Sequence, residues 1–310
     1  MKILVTGGAG FIGSHIVDAY LAAGHQVVVM DDLSSGRREN LNPKAKFYHV
    51  DIRSDQLEGI FQREKFDVVS HHAAQMDVRR SVADPKYDAS VNILGTLNLL
   101  ESSRKNGVKQ VIFASTGGAI YGEQERFPAD EDHPQRPLSP YGVAKLAAEK
   151  YLAYYHAVHG LRFVSLRYAN VYGPRQNPFG EAGVVAIFAH KMLSGEQPII
   201  NGDGRQTRDY VYYADVVRAN LLALECPRSE IYNVGTGIET DVNQLFQKLK
   251  KYLKPDCKEE HGPPKSGEQR RSVISFAKIK RELGWMPETQ LEEGLYLTAE
   301  YFKQQRLVGS

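Results

Sequence analysis

The chain has 310 residues, of which 39 are Lys or Arg and 37 are Asp or Glu, with 42% hydrophobic residues and two cysteines. A formal net charge of +2 and no Lys/Arg-rich run argue against nucleic-acid binding, which depends on neutralising phosphates. Met1 leads into a short apolar run without a basic leader, and no long apolar segment follows, so we expect a cytoplasmic protein without a membrane anchor. Cys226 and Cys257 are too few for a disulfide framework or a zinc site, and we expect free thiols.

Short β-branched runs alternate with segments of helical periodicity through the first half of the chain. Each strand–helix–strand unit needs a crossover connection, so the pattern predicts an α/β fold with a doubly wound, parallel Rossmann-type sheet. The predicted strands are 3–5, 26–30, 46–50, 66–70, 110–114 and 162–166, and the predicted helices are 12–23, 90–105 and 141–159.

Prolines and glycines interrupt this alternation beyond Ala169. We therefore expect residues 1–169 to form a dinucleotide-binding Rossmann domain and residues 170–310 to form mainly a smaller substrate-binding lobe. In the second part we predict a helix over 184–193, a strand near 231–234 that returns to the sheet, and an amphipathic stretch over 291–302 that packs on the body of the fold.

A glycine-rich segment follows the first predicted strand and opens the first predicted helix. Its glycines, Gly7, Gly10 and Gly13, have the spacing G-x-x-G-x-x-G. Glycines allow the sharp turn and the close approach of the backbone to a pyrophosphate, and the first residues of the helix, Phe11 and Ile12, present N–H groups to the anion. The segment predicts a dinucleotide site.

Carboxylates follow the second and third predicted strands. Asp31 and Asp32 are placed to accept hydrogen bonds from an adenosine ribose, which favours NAD over NADP because a carboxylate repels a 2′-phosphate. Arg37 and Arg38 lie nearby and weaken that preference. Asp51 and Ile52 are placed at the adenine edge, although any one of these acids alone could equally cap a loop or helix.

Tyr141 and Lys145 are four residues apart and so share one face of a predicted helix. An adjacent ammonium favours the phenolate and lowers a tyrosine pKa from about 10, which a general base near neutral pH requires. Ser139 and Pro140 suit the start of this helix. The hydroxyls of Ser115 and Thr116 end the fifth predicted strand, at the sheet edge where ligands bind in open α/β folds.

The order of these motifs resembles the extended short-chain dehydrogenase/reductase family and, within it, the UDP-hexose 4-epimerases. The resemblance covers nearly the whole chain. Besides the motifs above, it includes residues 71–74, 92–96, 115–122, 167–174, 202–204, 207–211, 233–235 and 283–285.

The resemblance implies NAD-dependent epimerisation at C4 of a UDP-hexose, UDP-glucose or UDP-galactose, through a transient 4-keto sugar. It implies that Tyr141 acts as the base and that Lys145 lowers the Tyr141 pKa and holds the nicotinamide ribose. Further implied cofactor contacts are Ala73, Ala74, Asn92 and Tyr168. The implied substrate contacts are Asn170, Val184, Arg208 and the stretch 265–270, including Arg270. It also implies a homodimer through the helices over 92–105 and 141–159, and a place in galactose metabolism.

The register of the catalytic hydroxyl is open because the segment after Phe113 is one residue longer than in most family members. Counting forward from the strand selects Thr116, whereas counting backward from the later Tyr-Gly pair selects Gly117. We predict Thr116, with Ser115 as the alternative. Related dehydratases and decarboxylases carry acids near this point, whereas Gly117 and Gly118 supply none, so the resemblance favours simple epimerisation.

Two positions bear on ligand range. Met76 stands where many epimerases have a cofactor-binding Lys, and Ser272 stands where a bulky Tyr or a small residue limits the sugar pocket. We therefore expect N-acetylated UDP-hexoses as further substrates.

The rival interpretations are a 4-epimerase of UDP-glucuronate or UDP-pentoses, a sugar-nucleotide reductase, and a non-catalytic NAD-fold sensor, against which the intact Tyr141 and Lys145 argue. We predict no metal site, since His71 and His72 point to opposite sides of a strand, and His156 and His159 have no evident third ligand.

Overall fold

A parallel sheet of seven strands forms the centre of the protein, and its strands follow the spatial order 3-2-1-4-5-6-11. The computed structural model describes residues 1–179, 183–264 and 269–308. This sheet and its flanking helices confirm the predicted α/β, Rossmann-type class. The strands in chain order are β1 (Lys2–Thr6), β2 (Gln26–Asp31), β3 (Lys46–His49), β4 (Val68–His71), β5 (Gln110–Thr116), β6 (Arg162–Tyr168), β7 (Asn170–Tyr172), β8 (Ile200–Asn201), β9 (Thr207–Arg208), β10 (Tyr210–Tyr212), β11 (Glu230–Val234), β12 (Thr240–Asp241), β13 (His261–Gly262) and β14 (Arg271–Ser272).

Helices cover both faces of the sheet because its strands alternate apolar side chains between the two sides. Ile3 and Val5 pack into one buried cluster, whereas Leu4 between them packs into another. The helices in chain order are α1 (Phe11–Ala22), α2 (Gln56–Glu64), α3 (Val78–Ala83), α4 (Pro85–Ala89), α5 (Thr96–Lys105), α6 (Gly117–Ile120), α7 (Pro140–His159), α8 (Val184–Ser194), α9 (Tyr213–Leu224), α10 (Val242–Leu253), α11 (Ala277–Leu283) and α12 (Leu291–Val308).

Helix α7 has well-defined signals at both ends. The Ser139 hydroxyl accepts a hydrogen bond from the Gly142 N–H at 3.1 Å, and Pro140 occupies the first turn. Gly160 ends the helix with a left-handed φ of 71°. Ser139 and Pro140 thus fix the start of α7, and Tyr141 lies in its first turn.

The helix predicted over 90–105 begins earlier, at Pro85, and contains a π-helical turn over Ser90–Gly95. The Asp84 carboxylate caps it by accepting from the Tyr87 N–H at 3.0 Å. Within the π turn, Gly95 lies so close to Ile52 that an added Cβ would come within 2.7 Å of Ile52 Cδ1. The glycine therefore allows this helix to approach the loop after β3.

The segment after residue 170 forms small sheets and a third buried cluster, which includes Tyr172, Phe188, Phe246 and Leu295. From this segment, β11 returns to the central sheet and pairs in parallel with β6. In the described residues, no helix is long and apolar enough to cross a membrane. Cys226 and Cys257 are buried and free, as predicted.

A buried ion pair joins α7 to the sheet. Glu149 and Arg167 are each 1% exposed, and Arg167 Nη2 donates to Glu149 Oε2 at 2.6 Å. Glu149 also accepts hydrogen bonds from the Ser115 and Ser165 hydroxyls, at 2.6 and 3.0 Å. Arg167 Nη1 donates to the Tyr121 hydroxyl at 2.9 Å, so the pair is fully embedded in a polar network.

Removing one charge of this pair will destabilise the fold. We expect Arg167→Met to lower the free energy of unfolding by about 3–5 kcal/mol, because Glu149 would remain buried without a counter-charge. The matched control is Arg281→Met, since Arg281 is 66% exposed and its pairing with Glu282 contributes under about 1 kcal/mol. Urea unfolding measures both values, and losses of equal size would contradict the prediction.

Candidate active site

The carboxyl ends of the parallel strands meet at one edge of the sheet. β1 lies between β2 and β4 in the sheet, so the strand order reverses at β1. Connections from the strand ends on either side of β1 run in opposite directions, and such a reversal leaves a crevice above the strand ends. The glycine-rich turn follows β1 at this edge, and Thr116 ends β5 on the same side. The fold therefore brings the predicted dinucleotide and catalytic motifs together.

The glycine turn is wound too tightly for larger residues. Gly7 has a φ of 69°, and a Cβ there would lie 2.6 Å from the Ala73 nitrogen. A Cβ on Gly13 would lie 2.2 Å from the Gly7 carbonyl oxygen. Gly10 precedes α1 without a side-chain cap, and the first turn of α1 carries no acid, so the N–H groups at Phe11 and Ile12 suit an anion. This cradle fits a dinucleotide pyrophosphate.

The predicted ribose acids occupy different environments. Asp31 is buried and accepts hydrogen bonds from the N–H groups of Ala9 and Leu33, at 2.9 and 2.8 Å, so it shapes the glycine turn itself. Burial raises the pKa of its carboxyl group. Asp32 is exposed and accepts from the Ser34 hydroxyl and N–H. Both lie where β2 ends, beside the crevice.

At the predicted adenine edge, Asp51 forms an ion pair with Arg53, with Oδ2 and Nη2 2.5 Å apart. The hydrogen bonds from Arg53 lower the pKa of Asp51. The Ile52 side chain is buried, and its carbonyl accepts from Asn98 at 2.8 Å. The loop is thereby held rigidly next to the π turn.

Asn92 is buried, and its amide is engaged by the chain itself. Its Nδ2 donates to the Gln75 carbonyl and to Asp88, and its Oδ1 accepts from the Gln75 N–H. One donor therefore holds the loop after β4, which contains Ala73 and Ala74, and the other bonds Asp88 on α4. The structure gives Asn92 a supporting position beneath this loop, and its predicted direct contact with the cofactor stays a prediction.

The Lys145 ammonium is enclosed between α7 and β5. Nζ donates to the Ala114 carbonyl at 2.9 Å and lies 5.9 Å from the centre of the Tyr141 ring. Burial lowers the pKa of Lys145 to about 8, and the charges of Asp88 and Glu149 oppose this shift. An ammonium thus stands beside the phenol, as the spacing along the helix predicts.

The two candidate hydroxyls at the end of β5 have different roles in the fold. Ser115 is 4% exposed and donates to Glu149 at 2.6 Å, so its hydroxyl belongs to the buried ion network. This bond favours Thr116 over Ser115 as the catalytic hydroxyl, and the choice between them stays a prediction. Thr116 is half-buried, follows Ser115 on the alternating strand, and remains the predicted residue.

Tyr168 ends β6, and its predicted contact with the cofactor stays a prediction. Its ring is buried, and its hydroxyl accepts from Asn220 Nδ2 at 2.8 Å. Burial raises the pKa of this hydroxyl. The alternation along β6 directs the side chain toward α9, so only the backbone of Tyr168 faces the strand end.

The predicted substrate contacts come from several elements of the second lobe. Asn170 Oδ1 lies 3.4 Å from where a Cβ on Gly118 would be, next to the catalytic turn. Arg208 and Ser272 are paired in register between β9 and β14, and Ser272 is buried. Val184 begins α8.

Other residues of this set lie at the surface or beyond the described part. Arg270 is exposed and held by Asp203 through two hydrogen bonds of 3.0 Å. Residues 265–268 of the predicted stretch 265–270 lie outside the described residues. Met76, which stands where many epimerases have a cofactor-binding Lys, is 56% exposed.

Sequence reasoning missed two groups that shape the site. One is the ion pair of Glu149 and Arg167, although Glu149 lies four residues after Lys145 on the same helix, which is a usable signal. The other is the cluster of Gln75, Asp88 and Asn92: Asp88 and Asn92 have the same four-residue spacing, but no spacing in the sequence links them to Gln75. Among the described residues, no group of three or more His, Cys, Asp or Glu side chains could hold a metal ion.

Comparison with known proteins places the chain among sugar-nucleotide enzymes. The model of the NAD dependent epimerase/dehydratase family matches residues 3–235. The crystal structure of UDP-glucose 4-epimerase from Thermotoga maritima with UDP-glucose is 53% identical, with a TM-score of 0.97, covering 99% of this chain and 100% of that chain. The UDP-glucose 4-epimerase of Thermus thermophilus in complex with NAD is 47% identical, with a TM-score of 0.93, covering 98% and 99%.

A third similar structure concerns an N-acetylated sugar. It is the UDP-N-acetylglucosamine 4-epimerase from Methanobrevibacter ruminantium in complex with UDP-N-acetylmuramic acid. It is 36% identical, with a TM-score of 0.93, and the match covers 98% of both chains.

The glycine cradle can be tested by adding one methyl group. We expect Gly13→Ala to weaken NAD binding at least about tenfold, since the new Cβ would overlap the Gly7 carbonyl and force the turn open. Gly59→Ala is the control, because Gly59 lies in α2 with no atom within 4 Å of an added Cβ. Calorimetric titration of apoprotein with NAD measures both, and unchanged affinity in Gly13→Ala would contradict the cradle.

Proposed function

The chain belongs to the NAD dependent epimerase/dehydratase family, and we propose that it interconverts UDP-glucose and UDP-galactose by NAD-dependent inversion at C4 of the hexose. The observation that carries this proposal is the enclosed Lys145 ammonium beside Tyr141, in a fold whose parallel sheet carries Thr116 and the glycine cradle at the same edge. The likeness to UDP-glucose 4-epimerases over nearly the full chain supports it.

The residues of the crevice fit NAD. Gly7, Gly10, Phe11, Ile12 and Gly13 would hold the pyrophosphate, and the acids after β2 and β3 would hold the adenosine. The loop with Ala73 and Ala74, fastened by Asn92, would border the nicotinamide half, together with the backbone of Tyr168. When bound, NAD accepts a hydride from C4 of the sugar and returns it to the opposite face.

The protein's own groups move and hold the proton. Tyr141, as phenolate, takes the proton of the C4 hydroxyl and gives it back when the alcohol re-forms. The Lys145 ammonium favours the phenolate by its charge and would hold the nicotinamide ribose of bound NAD. The Thr116 hydroxyl hydrogen-bonds the reacting oxygen and so orients it toward Tyr141.

The turn after β5 favours epimerisation over elimination. Gly117 and Gly118 offer no acid, and a Cβ on Gly117 would lie 2.6 Å from Ile274 Cδ1, so an acidic side chain would displace that residue. Dehydration or decarboxylation needs a further proton donor or acceptor at this point. The second candidates are therefore epimerases of UDP-glucuronate or UDP-pentoses and a sugar-nucleotide reductase.

Substrate recognition would fall to the second lobe. We assign the NAD site to residues 1–169 and the UDP-sugar site mainly to 170–310, with Asn170, Val184, Arg208 and Arg270 toward the nucleotide and diphosphate. An Arg suits a diphosphate because it forms charge-assisted hydrogen bonds. Ser272, small and next to Arg208 in register, would leave room for an acetamido group, so N-acetylated UDP-hexoses are proposed as further substrates.

The enzyme is proposed to act in the cytoplasm as a homodimer in galactose metabolism. Apolar side chains stand exposed on the two helical segments predicted to form the interface, 92–105 and 141–159. They are Leu94, Val143, Tyr154 and Val158, each at least 50% exposed. Packing these helices against a second copy would cover this surface.

Tyr141→Phe tests the proposed base. The variant should fold and bind NAD but lose about 10²–10⁴-fold in kcat on UDP-galactose, because the ring remains while the acidic hydroxyl is removed. Tyr151→Phe, which removes a hydroxyl from the exposed side of the same helix, should keep its kcat. A spectrum of the wild type with UDP-galactose should show reduced nicotinamide without added NAD, whereas stoichiometric use of external cofactor would indicate a reductase.

The Ser272 side chain can be tested with a pair of substrates. Ser272→Tyr should lower kcat/KM for UDP-N-acetylgalactosamine at least about tenfold more than for UDP-galactose, because the ring would fill the space of the acetamido group. Ser272→Ala should keep the wild-type ratio. Complete inactivity of the wild type on the N-acetylated sugar would refute this part of the proposal.

A further inference from the structure

Asp88 is a buried carboxylate for which the proposed reaction has no use so far. It lies on α4, is 1% exposed, and its Oδ1 accepts from Gln75 Nε2 at 2.9 Å and from Asn92 Nδ2 at 3.0 Å. Within the described residues, its Oδ2 is buried without a hydrogen-bond partner. Two amide donors cannot neutralise a carboxylate, so this charge is costly unless a cation stands nearby.

The nearby cation is Lys145. α4 packs against α7, and the Asp88 and Lys145 charges act on one another although they form no direct ion pair. The other carboxylate close to Lys145 is Glu149, whose charge is already balanced by Arg167 at 2.6 Å. Among the described residues, Asp88 is thus the carboxylate near Lys145 that has no ion-pair partner of its own.

The remaining titratable groups around Lys145 do not replace this interaction. The two histidines are neutral at pH 7. Thr6 and Thr96 contact the two ring nitrogens of His71, and burial holds the pKa of His71 well below its usual value. Burial lowers the pKa of His72 to about 3.

The charged groups on the neighbouring helices have partners of their own. On α3, Arg79 pairs with Asp77, and Arg80 stacks on the Tyr87 ring at 4.2 Å. On α5, Glu101 bonds Tyr155 and Arg104, further along α7. On α7 itself, Tyr141 lies four residues before Lys145 and Glu149 four residues after it, and β5 contributes the Phe113 ring and the Ala114 carbonyl.

We propose that Asp88 is the counter-charge of Lys145, a positioning residue that keeps the ammonium charged and held toward Tyr141 during turnover. The inference rests on the proposed function of Lys145. Burial alone disfavours the ammonium, and the negative charge of Asp88 on the adjoining helix α4 counteracts it. The loop that borders the predicted cofactor site is fastened to the same carboxylate through Gln75 and Asn92, so one group sets both the charge and the position of its surroundings.

The test replaces the charge and keeps the shape. Asp88→Asn retains an oxygen to accept from Gln75 and Asn92, and Asp84→Asn is the matched control, because it removes an exposed carboxylate at the start of the same helix and still caps it. With holoenzyme, we expect the alkaline limb of the kcat/KM profile of Asp88→Asn to move down by about one pH unit, whereas Asp84→Asn keeps the wild-type limb. In Asp88→Glu, which keeps the negative charge, the alkaline limb should lie close to its wild-type pH. A uniform loss of activity at all pH values would indicate a merely structural role and overturn the proposal.

A second readout needs no activity. The Lys145 pKa is lower in the folded than in the unfolded chain, so the folded protein binds fewer protons and its stability rises with pH from about 8 to the ordinary value of 10.5. In Asp88→Asn this rise should begin at a lower pH in urea-unfolding measurements. If stability began to rise at the same pH in Asp88→Asn as in Asp84→Asn, the proposal would be overturned. If the rise began at a lower pH in Asp88→Asn but the wild type had no epimerase activity, the result would count against the proposed function instead.

A reciprocal variant covers the case in which Asp88→Asn does not fold. Lys145→Met deprives Asp88 of its counter-charge and should raise the Asp88 pKa further above its unfolded value. A raised folded pKa means that stability falls as pH rises above the ordinary aspartate value, so Lys145→Met should lose more stability than the wild type as pH rises above about 4. Parallel pH dependences of the two proteins would overturn the proposal.

Discussion

A positive charge held out of water beside a phenol is the constraint on which the rest of the active site depends. Lys145 is enclosed by α7 and β5, and an ammonium in such a place is tolerated only with hydrogen bonding and nearby negative charge. The Ala114 carbonyl accepts the hydrogen bond from Lys145, and Asp88 and Glu149 supply the negative charge. These groups lie on α7, β5 and α4, and the packing of these three elements holds them in place around Lys145.

Two buried carboxylates flank this lysine and differ in how they are balanced. Glu149 is saturated by Arg167 and two serine hydroxyls, which makes α7 and β6 one rigid unit. Asp88 has only amide partners among the described residues, and these amides belong to the loop after β4. The first carboxylate thus fixes the frame, and the second joins the charge of the site to the loop that borders the cofactor crevice.

Much of the fold could be predicted because strands buried on both faces have runs of apolar, β-branched residues, and helix α7 has an explicit cap at Ser139. Spacing along one helix also suffices to pair Tyr141 with Lys145. What could not be predicted depends on the direction of single side chains. Ser115 and Thr116 look equivalent in the sequence, and Glu149 distinguishes them only after α7 has packed on β5. Tyr168 ends its strand like a ligand contact but points into the core, and Asp88 meets Asn92 across an irregular π turn.

The position of β11 has a consequence for how the chain reaches its final form. This strand comes from the second lobe, yet it lies beside β6 at the border of the central sheet. Until it has emerged from the ribosome, β6 exposes unpaired backbone groups that invite association with other chains. The central sheet therefore cannot be completed from residues 1–169 alone, and its completion during synthesis waits for residues 230–234.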